Sequence, residues 1–192
     1  MEPKEVSSLP TSVVLYGREY DFHSDFREWM RYELLMTDGD VDDSLRYGLA
    51  ADIIFPPEQH IPLTRKTADF LRWFYHCGDP PEANDDTDND YFLESRLPYK
   101  FDADFPYIHA AFLEQYGIDL ITVDYLHWWT FRGLFRSLHD CKFTEIVGYR
   151  TAETGDMSET MKIHYHKMQE LYELPVSRTE RLRIEKARQL LY

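Results

Sequence analysis

The chain has 192 residues and a formal charge of −14, with 43% apolar and 16% aromatic residues. That supply of apolar and aromatic side chains supports a folded core and excludes global disorder. So acidic a surface opposes a grip on nucleic-acid backbones or anionic membranes, both of which select basic patches.

The length suits one domain with a tail. No apolar run approaches the roughly 18–20 residues of a membrane-spanning helix. The start, Met1-Glu2-Pro3-Lys4-Glu5, lacks the apolar core of a secretory leader. Cys77 and Cys141 are too few for a disulfide scaffold and are expected as reduced, cytosolic thiols.

Residues 1–11, with Pro3, Pro10 and paired serines, read as a flexible arm. Ser12–Tyr16 is β-branched and apolar, Gly17-Arg18 follows, and Glu19–Phe22 alternates; this predicts a short β-hairpin. Helices are expected thereafter, so the fold class is mainly α. Ser24 is the expected cap of a helix to about Met36 with Phe26, Trp29, Met30 and Leu34 on its apolar stripe. Thr37–Asp40 breaks it. Asp42 or Asp43 opens a second helix that stops before Pro56-Pro57. Thr64 caps a third, expected to contain Leu71, Trp73, Phe74 and Cys77 and to stop at Gly78. Residues 79–95 hold seven acidic residues before Arg96 and no Lys or Arg, the composition of a solvated, flexible acidic loop. Phe105–Tyr116 is the next helix, started by Asp102 or Asp104 and stopped by Gly117. A long apolar helix from Asp119 or Thr122 to about Leu138 is expected at the centre of the core. Phe143–Gly148 and Met157–Tyr172 complete a single helical domain over 12–175. Ser177 then caps a basic C-terminal helix over 176–192, with five basic residues against two acidic ones.

Motifs for chemistry fail in detail. Asp86-Thr87-Asp88-Asn89-Asp90 begins like a calcium loop, but Tyr91 stands where Gly is required and Leu97 where the bidentate Glu is required. Asp38–Asp42 fails in the same way, with Asp43 and Leu49 at those places. The dense His and Cys spots, at His76-Cys77, His139–Cys141 and His164–His166, lack paired zinc spacing. Neither cysteine sits in a nucleophile motif, and no phosphate-cradling glycine loop is present. The sequence therefore predicts no catalytic, cofactor-binding or metal-binding residues.

The block His127-Trp128-Trp129 reads first as core packing on a central helix. Neighbours on a helix diverge by about 100°, so one Trp is free to reach a second layer or a partner surface. The basic C-terminal helix is expected either as a solvated helix packed by its apolar side or as a clasp on an acidic surface of this chain or a neighbouring subunit.

Several phrases form a pattern when taken together. These are Asp25-Phe26-Arg27-x-Trp29, Leu71-x-Trp73-Phe74-Tyr75-x-Cys77-Gly78, Asp102-Ala103-Asp104 with Tyr107-Ile108-x-Ala110-Ala111-Phe112, and Tyr116–Leu120. Leu126-His127-Trp128-Trp129-x-Phe131-x-x-Leu134-Phe135 and Phe143-x-x-Ile146-x-Gly148-Tyr149-Arg150 follow. In order and spacing they resemble the bacteriophage "gp-fifteen" family of tailed phages and prophages, over roughly residues 12–175. The resemblance implies a tail-module protein, similar by gene position to tail assembly chaperones, which coat the tape-measure protein and recruit tail-tube subunits. It implies no catalytic residue. The implied partners are the tape-measure protein or the major tail protein, with self-association open and neither nucleic acid nor membrane involved; the implied place is the host cell cytoplasm during assembly. A structural part of the virion tail or neck is the alternative, and a small enzyme or metal-dependent regulator a further one. The residues expected to bind a partner are His127, Trp128, Trp129 and Arg150, all from the most specific block.

Overall fold

Tyr16 and Gly17 both take positive φ (55° and 76°), the backbone of a two-residue turn whose twist matches antiparallel strands. They join β1 (Ser12–Leu15) to β2 (Arg18–Asp21), paired from Ser12↔Asp21 to Leu15↔Arg18. The turn thus lies one residue earlier than the sequence predicts. The computed structural model describes residues 9–79, 97–179, 181, 182 and 186. Most of the expected arm, the acidic loop and much of the C-terminal helix lie outside them. Among the described residues the chain is mainly α, with this hairpin and seven α-helices, and it forms two compact units.

The first unit takes residues 9–36, 41–79 and 124–133. In it lie α1 (Phe26–Thr37, to Met36), α2 (Asp43–Ile54) and α3 (Arg65–Tyr75). Asp25, not Ser24, caps α1: its Oδ1 accepts the Arg27 amide at 3.0 Å. The hydroxyl of Ser24 instead meets Tyr125. Asp42 caps α2 as expected, through the Ser44 amide. Cys77 lies beyond α3 rather than inside it, because Cys77 and Gly78 both turn to positive φ. There the amides of Cys77 and Gly78 return to the carbonyls of Phe74 and Trp73. The core is aromatic: Phe26, Trp29, Phe74, Trp128 and Phe131 are almost wholly buried. Each such side chain contributes about 1.5–3 kcal/mol of burial. Glu33 is buried beside the Tyr75 hydroxyl and the Arg132 guanidinium, so its charge is answered inside the fold.

The second unit takes residues 37–40, 97–123 and 134 onward. It holds α4 (Phe101–Tyr116), α6 (Lys142–Thr151) and α7 (Glu159–Leu171), with α6 packed against both α4 and α7. Helix α4 starts four residues before the expected Phe105, although Pro106 lies inside it. The early turn survives because the Asp104 carboxylate reaches back to the Lys100 amide at 3.0 Å. Phe101, Phe135 and Phe143 form a second aromatic cluster with Tyr99. The long helix expected from Asp119 is replaced by a turn and a shorter α5 (Trp128–Arg136). Asp119 closes that turn by accepting the Ile121 amide, and it also meets His109 Nε2 at 2.8 Å. Those contacts, the Ile121 amide foremost, hold its carboxyl down to about 2. At the C-terminal end the Asp40 carboxylate accepts the amides of Arg178 and Thr179, and the Ser177 carbonyl accepts the Arg181 amide.

Candidate interaction surface

Residues 125–127 look helical by composition but pair with the backbone before α1. The Phe26 amide donates to the Leu126 carbonyl at 2.9 Å and the Trp128 amide to the Ser24 carbonyl at 2.8 Å. The Leu126 amide donates to Asp25 Oδ2. Amides that a longer helix would need internally are thus spent across the unit, and α5 can begin only at Trp128.

His127 caps that start. Its carbonyl accepts the Phe131 amide, the first helical bond, and its Nδ1 accepts the Trp129 amide at 3.0 Å. Nε2 donates to the Pro10 carbonyl at 3.0 Å. The two bonds fix one neutral tautomer, with the proton on Nε2. Burial lowers the imidazole pKa below its ordinary value, against the Pro10 carbonyl, which raises it.

The two tryptophans that follow meet the end of α3. Trp128 is fully buried, stacked against Tyr75 and Phe131, with the Arg132 guanidinium 5.2 Å from its ring centre. Its indole N–H donates to the Tyr75 carbonyl at 3.0 Å, while the Trp129 N–H donates to the Phe74 carbonyl at 2.8 Å. Both carbonyls lie at the C-terminal end of α3; Trp128 supplies a donor to that of Tyr75, and Trp129 joins the Cys77 amide on that of Phe74. Trp129 is only half-buried and packs edge-on against Trp73, itself 40% exposed. The aromatic block therefore reaches solvent at the Trp73–Trp129 edge.

Arg150, on α6 in the second unit, grips the buried Asp104 through two bonds, Nη1–Oδ2 at 2.7 Å and Nη2–Oδ1 at 2.9 Å. Its Nε donates to the Tyr172 carbonyl and Nη1 also to the Pro98 carbonyl. The guanidinium so ties α4, α6 and the end of α7 together. Beside it opens a cavity of about 580 Å³ lined by Pro98, Arg150, Thr151, Gln169, Glu170, Glu173 and Leu174.

The four sequence-chosen residues are thus engaged within the fold, His127, Trp128 and Trp129 in one unit and Arg150 in the other. Exposed apolar side chains of helices, among them Leu45 and Leu49 on α2 and Ile163 and Leu171 on α7, lie outside the residues expected from the sequence. The signal for α2 was present, since its apolar residues fall on both faces of one helix. Among the described residues, no helix is long and apolar enough to cross a membrane, and no group of three His, Cys, Asp or Glu side chains is placed to hold a metal.

The family model described as "Bacteriophage Gp15 protein" matches residues 6–174 of the 192. No curated protein and no solved structure matches the chain.

Proposed function

Because the chain belongs to the bacteriophage Gp15 family, we propose that it is a phage assembly factor acting in the tail module as a chaperone for the tape-measure or tail-tube protein. The family match over residues 6–174 carries this reading. It works through contacts and not through catalysis. His127, Trp128 and Arg150 are spent on a cap, the core and an internal ion pair, whereas the Trp73–Trp129 edge and exposed helix leucines remain available to a partner. A charge of −14 keeps such a protein soluble while it presents apolar groups. Several weak contacts repeated along one extended partner hold it by avidity and still allow release.

The test is co-expression with the tape-measure and major tail proteins of the same phage, followed by size-exclusion chromatography. Recovery of a soluble complex with either one, and absence of this chain from mature particles, is the expected result. Separate elution of a well-folded chain from both partners would remove the chaperone reading. Stoichiometric presence in purified virions would replace it with a structural role in tail or neck.

A further inference from the structure

Helix α2 has two apolar sides. Ala50, Ala51 and Ile54 point inward and are buried, while Leu45 and Leu49, one turn apart, stand 59% and 43% exposed on the opposite side. Gly48 lies beside them with no side chain of its own, and Leu63, 61% exposed, reaches within 3.7 Å of where its Cβ would stand. Leu63 thus packs over Gly48, and the three leucines form one exposed apolar face. Two exposed carboxylates bracket it along the same helix, Asp42 at the N-cap and Asp52 one turn beyond Leu49, about 15 Å apart by helical rise. Neither makes an ion pair within 4 Å among the described residues; the Asp42 carboxyl is held below its ordinary value by the Ser44 hydroxyl and amide, with the Arg46 charge adding to them.

We propose that this face docks an amphipathic helix of a protein partner. That helix carries two apolar residues three or four apart, with Lys or Arg about one turn outside each of them. The apolar pair packs on Leu45, Leu49 and Leu63, and the cations answer Asp42 and Asp52. A second copy of this chain is the poorer occupant, because an isologous contact of two such faces sets Asp42 of one copy against Asp52 of the other with no cation between them. The proposal deepens the assembly reading and rests on it for the natural partner, a helical tail protein.

The probes are two synthetic helical peptides of identical apolar sequence, one bracketed by lysines and the other by glutamates, titrated against the full chain by fluorescence anisotropy. The lysine peptide is expected to bind, more weakly at high salt, and the glutamate peptide not to bind. Leu45→Ser with Leu49→Ser should weaken the lysine peptide by more than about tenfold, since two leucines lose their burial. Asp42→Lys with Asp52→Lys should reverse the preference toward the glutamate peptide. Leu45 and Leu49 are exposed, so the leucine variant should melt close to the parent, whereas Asp42→Lys removes the cap of α2 and should lower the melt, so its peptide preference is read at a temperature where it remains folded. Equal binding of both peptides, or unchanged binding by the leucine variant, overturns the proposal. So does a concentration-dependent dimer that the leucine variant abolishes when the lysine peptide does not bind. If tail proteins still co-purify with the leucine variant, this face is wrong and the assembly reading stands. If the peptide pattern holds but the parent retains no tail protein, the face stands and the assembly reading falls.

Discussion

His127 Nδ1 accepts the backbone amide of Trp129 at 3.0 Å, so the cap of α5 exists only while that nitrogen is unprotonated. Burial holds the imidazole pKa below its unfolded value near 6.5. The unfolded chain therefore binds this proton more readily than the folded one. Stability from this group is complete above pH 6.5 and declines as pH falls below it toward the folded pKa. Melting temperature should drop between pH 7 and pH 5, and His127→Gln should flatten that slope. The same variant should lose about 1 kcal/mol at pH 7 with the cap. An unchanged slope in the variant would show that another group governs the transition.

Arg150 and Asp104 are placed to behave as one object. Arg150→Met leaves the Asp104 carboxylate buried without its cation and should cost about 3–5 kcal/mol in denaturant unfolding. Asp104→Leu combined with Arg150→Met removes both charges and should recover much of that loss. Additive losses in the double variant would contradict the pairing.

Adjacent tryptophans should separate in their effects. Trp128→Ala opens a cavity at the centre of the first unit and should cost about 3–5 kcal/mol. Trp129→Phe keeps a ring at the surface edge and loses chiefly the bond to the Phe74 carbonyl, about 1 kcal/mol. If the aromatic edge meets the partner, Trp73→Ser with Trp129→Phe should lose tail-protein retention at a temperature where both proteins remain folded.

Two glycines should respond with opposite signs. Gly78 has φ +85°, and a Cβ there would stand 3.1 Å from the Trp129 ring, so Gly78→Ala should destabilise by about 1–2 kcal/mol. Gly133 lies within α5 with nothing within 4 Å of an added Cβ, so Gly133→Ala should stabilise by about 0.5–1 kcal/mol. Thermal melts of the two variants read the contrast directly.

Local signals predicted what local physics controls. The hairpin, an aspartate cap at the start of α2 and the stop of α4 at Gly117 are visible in the sequence because each depends on a few neighbouring residues. The start of α5 is hidden because the amides of Leu126 and Trp128 are claimed by Asp25 and Ser24, about a hundred positions earlier. The start of α4 is hidden because Asp104 stabilises it from within, with Arg150 as its distant counter-charge. Aromatic density draws attention to His127-Trp128-Trp129, but only the positions of Phe74 and Tyr75 divide Trp128 as core from Trp129 as edge. The α2 leucines escaped notice because their exposure depends on which face Ala50 and Ile54 bury.

The first unit closes with its last contributed stretch. Phe131 stacks on Phe26 at 4.9 Å and Trp128 lies over Trp29 at 6.4 Å, so residues 26–29 wait for partners a hundred positions later. At a synthesis rate of about 5–20 residues per second, roughly 5–20 s pass between the emergence of Trp29 and that of Trp128. During that interval the nascent chain exposes Phe26, Trp29 and Phe74 to the translating cell. A nonsense or frameshift product ending before Trp128 would carry that aromatic surface permanently open, and would be a target for aggregation and proteolysis rather than a shorter working protein.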